Sequence, residues 1–133
     1  MTIIVGYVPK PQGKSAVDTA VRIAQDTGDS LFVVNAGVGE AVDDPLVASP
    51  QELNDLREQL ASTGVPYEVH QFLRGNDAVE EILALEEDLP DVRMIIIGTP
   101  RRSRVGKLLL GSIAQNIISR ATSPVLCVKA PRR

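Results

Sequence analysis

Val92-Arg93-Met94-Ile95-Ile96-Ile97-Gly98-Thr99-Pro100-Arg101 contains four consecutive apolar residues, 94–97, closed by a glycine. A run with no polar position cannot turn one face to water, so it reads as a central strand covered on both sides by helices. Four further short runs rich in β-branched residues lie around it: Thr2 to Val8, Ser30 to Ala36 and Pro66 to Leu73 before, and Pro124 to Lys129 after. The third run alternates more than the others and is expected at an edge. Four helical patterns separate the five runs, and this alternation is the sequence signature of a parallel sheet with helices on both faces. Right-handed crossovers then make 3-2-1-4-5 the simplest order for a single-domain, open, doubly wound sheet, spanning residues 1–130 with a short tail at 131–133.

The helices are marked by their starts and their spacing. Ser15 with Asp18, Ser49-Pro50 with Glu52, Asn76-Asp77 with Glu80, and Ser112 with Gln115 each have the form of an N-cap. Ala16, Ala20, Ile23 and Ala24 form one apolar stripe, and Leu53, Leu56 and Leu60 a second. Val79, Ile82 and Leu83 make the third, and Ile113, Ile117, Ile118 and Ala121 the last. Gly28, Gly64 and Pro90 fall where stops are needed. Gly39 to Ser49 reads as the one long loop and the most mobile region.

Charge is divided along the chain. Among 133 residues with a net charge of −3, all 17 acids lie in the first 97, and 98–133 carry eight Lys or Arg and no acid. In the order 3-2-1-4-5 the chain switches direction between strands 1 and 4, and a crevice opens at their carboxyl ends. The basic segment Gly98-Thr99-Pro100-Arg101-Arg102-Ser103-Arg104, returning at Gly111-Ser112 into the last helix, falls beside it. A glycine at a strand end permits close backbone approach, and the free N–H groups of a helix start attract an anion, most plainly phosphate. Ser112 can cap that helix or meet a phosphate oxygen. The bland alternative makes Gly98 and Gly111 turn residues, Ser112 a cap and the arginines a solvated face.

Other classes fit poorly. One cysteine, Cys127, and one histidine, His70, exclude an internal disulfide and a Cys/His zinc set, and no stretch of 18 apolar residues is present. These features fit a cytoplasmic protein without a membrane partner. Gly13-Lys14-Ser15 ends like a P-loop, but Val8 stands where its first glycine is required, and Pro9 and Pro11 remove N–H groups. Lys14 and Ser15 are left as possible borders of the crevice. His70 reads as a strand residue and Cys127 as core. Asp43-Asp44 and Glu86-Glu87-Asp88 read as solvated charges, with magnesium a remote alternative. No carboxylate, His or Cys before Cys127 lies on the loop and last helix, so no general base or nucleophile reaches the crevice and catalysis is not expected.

The whole chain resembles a universal stress protein domain. Nucleotide-binding members of that family carry Gly-x2-Gly-x9-Gly-Ser/Thr between the fourth strand and fourth helix. This sequence keeps the frame with Gly98, Arg101 and Gly111-Ser112, and Leu108-Leu109-Leu110-Gly111-Ser112-Ile113-Ala114 followed by Ala121 to Lys129 is similar to the family's closing signature. Gly75-Asn76-Asp77-Ala78 also falls where the family has it. The resemblance implies an adenine nucleotide alpha hydrolase-like, Rossmann-like fold. It further implies ATP or another adenine nucleotide, with or without Mg²⁺, held by Gly6, Tyr7, Val8, Ala36, Ile97, Gly98, Thr99, Arg101, Arg102, Arg104, Gly111, Ser112 and Ile113. A homodimer along Val125-Leu126-Cys127-Val128 and a stress-response role as sensor or adaptor toward an unknown protein partner follow from the same resemblance. Two positions depart from the pattern: Arg101 replaces the second glycine, and Val8 replaces the aspartate usual at the end of strand 1. Arg101, Arg102 and Arg104 then offer side-chain rather than backbone grip on phosphate. Two further readings stand beside this one: a member that acts through dimerisation and protein contacts alone, and nucleic-acid binding through the basic third, which lacks a reading motif.

Overall fold

A computed structural model of the chain describes residues 1–38, 44–100 and 111–132. Five parallel strands, β1 (Thr2–Gly6), β2 (Ser30–Gly37), β3 (Tyr67–Leu73), β4 (Val92–Thr99) and β5 (Val125–Lys129), alternate with four helices, α1 (Pro11–Thr27), α2 (Pro50–Ala61), α3 (Ala78–Asp88) and α4 (Ser112–Arg120). The sheet order is β3-β2-β1-β4-β5, with β3 at an edge as its alternation predicts. β1 pairs on both sides, Val5 lying opposite Val33 of β2 and Ile96 of β4.

Strand alternation divides the core into two layers. Ile3, Val5, Leu31, Val33 and Ile96 point into the layer covered by α1 and α2. Ile4, Ile95 and Ile97 point into the layer covered by α3 and α4. Ile3, Ile4, Ile95 and Ile96 are fully enclosed, each contributing about 2–3 kcal/mol of transfer free energy. This is why 94–97 has no polar position: both its faces are interior.

Two predicted caps form as complete capping boxes. Ser49 and Glu52 satisfy each other's backbone N–H at the start of α2, and Asp77 and Glu80 do the same for α3. The other two differ. α1 begins four residues before Ser15, with Lys10 at the N-cap and Pro11 at the first helical position, because a fixed proline φ starts a helix without needing a side-chain acceptor. α4 takes Gly111 as its N-cap, so Ser112 is already helical and does not cap. Ile118, placed by its spacing on the buried stripe of α4, is 46% exposed, and only Ala114 and Ile117 of that helix are buried. Cys127 is also only partly enclosed, since β5 has no strand beyond it.

Of the predicted long loop, 39–43 lies outside the described residues. The remainder is pinned by Asn35, a polar residue within the apolar β2 run. Asn35 is 1% exposed; its Nδ2 donates to the carbonyls of Tyr7 (2.8 Å) and Leu46 (2.9 Å), and its Oδ1 accepts from the Ala48 N–H (2.9 Å) and Gln71 Nε2 (2.9 Å). One side chain therefore ties the end of β1, the approach to α2 and β3 to the same point.

Candidate functional site

At the carboxyl ends of β1 and β4 the sheet opens into a cavity of about 220 Å³. The topology requires an opening there: the chain runs from β1 to one side and from β4 to the other, so their following segments diverge. Its wall contains Gly6 at the end of β1 with Tyr7 and Val8 beyond it, Ala36 on β2, Ile97, Gly98 and Thr99 on β4, and Gly111, Ser112 and Ile113 at the start of α4. Every residue expected to hold the nucleotide that the structure describes thus lines this cavity, whereas Val125, Leu126, Cys127 and Val128, expected at a dimer interface, do not. Arg101, Arg102 and Arg104 lie outside the described residues. Their segment leaves from Pro100 and returns at Gly111, both of which line the cavity.

Sequence reasoning missed Gln12, Val34, Leu46, Ala78, Ile82 and Ala114 on the same wall. Ala78 and Ile82 belong to α3, which closes the crevice from the side. The Gly75-Asn76-Asp77-Ala78 motif was the available signal for this wall, because it marks where α3 begins. Leu46 arrives through the Asn35 clamp, for which the asparagine inside an apolar run was the sign. Lys14 and Ser15 do not border this cavity.

The two motif glycines have different roles. A Cβ on Gly98 would collide with the backbone carbonyl of Gln12, and a Cβ on Gly13 with the backbone carbonyl of Val8. Gly98 therefore admits the first turn of α1 against β4, a requirement additional to the close ligand approach expected of it. Among the described residues, Gly111 has no heavy atom within 4 Å of an ideal Cβ, and its φ of −63° is one any residue adopts. Nothing in the described protein requires glycine there.

The lining is mostly apolar and, among the described residues, carries no charged side chain. Polar character comes from the Gln12 amide, the hydroxyls of Thr99 and Ser112, and the α4 N-terminus. α4 has no side-chain cap, and its first intrahelical backbone bond runs from the Gln115 N–H to the Gly111 carbonyl. The N–H groups of Ser112, Ile113 and Ala114 precede that bond, and all three residues line the cavity. Three such donors with the helix dipole behind them favour an anion by about 0.3–1 kcal/mol even without a side chain.

The ion pairs lie elsewhere. Glu81 on α3, 2% exposed, accepts two hydrogen bonds from Arg74 (2.8 Å each), which holds its carboxyl below its ordinary range. Asp29, at the opposite end of the sheet, pairs with Arg93 and with the N-terminal ammonium at 3.2 Å. Glu86, read from sequence as solvated, instead accepts from the backbone N–H groups of Thr122 and Ser123, closing the turn into β5. His70 stacks on Phe32 at 4.7 Å on the face of β3, away from the cavity.

An open parallel sheet in the order 3-2-1-4-5, with a mainly apolar crevice at its switch point and an uncapped helix start on the rim, defines a doubly wound α/β domain. The Usp, or universal stress protein, family matches residues 1–129. A universal stress protein of Mycolicibacterium smegmatis is 41% identical over 127 residues, covering 96% of both chains. The chain belongs to the universal stress protein family. A universal stress protein structure from Archaeoglobus fulgidus superposes with a TM-score of 0.81 at 26% identity, covering 97% of this chain and 98% of that one. A second structure from the same organism, in complex with dAMP, has a TM-score of 0.75 at 23% identity, covering 97% and 98%. Among the described residues, no helix is long and apolar enough to cross a membrane.

Proposed function

We propose that the chain binds an adenine nucleotide in the β1/β4 crevice and acts as a nucleotide-responsive cytoplasmic sensor or adaptor, working as a homodimer in stress response. The observation that carries the reading is the combination on one wall of an apolar slot, between Val8, Ala36 and Ile97, and the uncapped start of α4. The slot suits a flat base. The α4 N–H groups and the Ser112 hydroxyl suit a phosphate. The dAMP complex of the Archaeoglobus relative supports this ligand class. Pro100 and Gly111, which flank the Arg101, Arg102 and Arg104 segment in sequence, both line the cavity, and the guanidinium fork is the chemistry that would grip phosphate where the motif's second glycine is absent. Mg²⁺ would come with the phosphates rather than from a protein carboxylate, since the described lining has none.

Val8 favours the second reading, a member that acts through protein contacts without nucleotide, because an apolar residue cannot make the nucleoside hydrogen bond of an aspartate. Calorimetric titration of nucleotide-stripped protein with ATP, AMP and cyclic AMP separates the two. Saturable binding weakened about tenfold or more in an Arg101→Ala, Arg104→Ala double variant is the expected outcome. Absence of heat and of any thermal shift at about 1 mM ligand would leave the protein-contact reading in its place. The role proposed is binding rather than turnover, so the nucleotide should be recovered unchanged after long incubation with stoichiometric protein and magnesium.

A further inference from the structure

A second cavity, of about 250 Å³, lies between the starts of α1 and α2 on the other side of β1. Its floor is apolar, made by Val17 and Leu56. Its inner wall is Tyr7, which belongs to the α1/α2 core layer with Ile3 and Val5 and is only 5% exposed. The phenol hydroxyl has no hydrogen-bond partner among the described residues. Yet no fully enclosed side-chain oxygen or nitrogen among them is left unpaired. Tyr7 borders the β1/β4 crevice as well, but its ring packs in the α1/α2 layer and its phenol feels the Glu52 and Asp55 carboxylates of this second cavity, so the hydroxyl opens on that side.

The remaining wall is rich in acceptors. Glu52 Oε1 is used in the α2 capping box and Asp55 Oδ1 accepts from Gln51, so each carboxylate keeps its second oxygen. Gln59 donates its amide to Asp18 and keeps its carbonyl. The field of Glu52 and Asp55 reaches the phenol: after burial, these two carboxylates are what raise the Tyr7 pKa. Lys14 stands on the rim, and no ion pair among the described residues includes it.

We infer that this cavity is a binding site for a small organic ammonium ion, distinct from the β1/β4 crevice although Tyr7 borders both. Spare oxygens on Glu52 and Asp55, the Gln59 carbonyl and the Tyr7 hydroxyl outnumber the three N–H donors of a primary ammonium. The Val17 and Leu56 floor takes a short alkyl chain, and the phenol supplies an aromatic surface beside the cation. A divalent metal fits less well, because two exposed carboxylates and an apolar floor leave most of its coordination to water.

The probe is n-butylammonium chloride, titrated into isotopically labelled protein and followed by backbone amide shifts, with NaCl and MgCl₂ at matched ionic strength as references. Saturable shifts are expected at Tyr7, Lys14 and Asp55, with Ser112 and Ile113 in the other cavity unmoved. Tyr7→Phe keeps the buried ring and should weaken binding about threefold. Asp55→Asn should weaken it about fivefold, and Lys14→Gln, which removes a repelling charge, should tighten it about threefold. Equal shifts with MgCl₂ would overturn the organic-cation assignment. Shifts centred on Ser112 would overturn its location, and unchanged affinity in folded Tyr7→Phe and Asp55→Asn variants would overturn the site itself.

Discussion

At the scale of single residues, Asp29, Asn35 and Glu81 are buried polar groups each held by more than one partner. Asp29 is the clearest case. Only 3% exposed, it is held by the Arg93 guanidinium, then by Thr27 and the N-terminal ammonium, and its pKa falls from 3.8 to about 2. A carboxyl whose folded pKa lies below its unfolded one contributes stability that is complete above the unfolded value and lost as pH falls through the folded value. The Asp29 contribution is therefore present at neutral pH, begins to fail below about 3.8 and is gone below about 2. Asp29→Asn should lower the thermal midpoint at pH 7 by roughly 5 °C. The variant should also show a shallower loss of midpoint than the parent between neutrality and pH 2. Parallel midpoint-against-pH curves for the two proteins would show that Asp29 is not part of the acid response. Glu81 and Glu86, whose pKa values are also lowered, supply the remaining slope in both proteins.

At the scale of elements, the legible features were those that repeat. Five β-branched runs gave five strands, and two caps with their glutamates three residues on gave the starts of α2 and α3, because these are local rules that the tertiary structure did not need to override. The starts of α1 and α4 were misplaced because Pro11 and Gly111 begin a helix without a side-chain acceptor, leaving nothing for a cap pattern to find. The cavity wall was legible along β1, β4 and α4. Its α3 and Leu46 portions were not, since they depend on how α3 crosses the sheet and on the four hydrogen bonds of Asn35. Nor could spacing distinguish the two motif glycines. Gly98→Ala forces a methyl into the Gln12 carbonyl and should destabilise the protein by about 3 kcal/mol in chemical denaturation. Gly111→Val meets no atom of the described residues, so its stability should stay within about 0.5 kcal/mol of the parent while nucleotide affinity falls at least tenfold. A Gly111→Val protein that is both stable and undiminished in affinity would place the phosphates elsewhere.

At the scale of the whole molecule, the two sheet edges differ in a way that bears on assembly. The β3 edge carries Glu68, His70 and Gln71, with Arg74 stacked on Phe72 just beyond, and charges of this kind discourage strand addition. The β5 edge reads Val125-Leu126-Cys127-Val128 before its first charge at Lys129. Leu126 is 38% exposed there, and Ile118 on neighbouring α4 is 46% exposed. An apolar edge strand with uncovered apolar side chains on a neighbouring helix matches a second copy of itself across a two-fold axis, which is the geometry proposed for the homodimer. Sedimentation at roughly 100 μM should give twice the chain mass, falling toward the single chain on dilution if association is reversible. Leu126→Lys adds a charge at the centre of the edge without entering the core, so it should shift the protein to monomer while circular dichroism and thermal midpoint stay near those of the parent. A dimer that survives Leu126→Lys would move the interface away from β5. A parent that remains monomeric at that concentration would remove dimerisation from the proposed function and leave the β1/β4 crevice to act within a single chain.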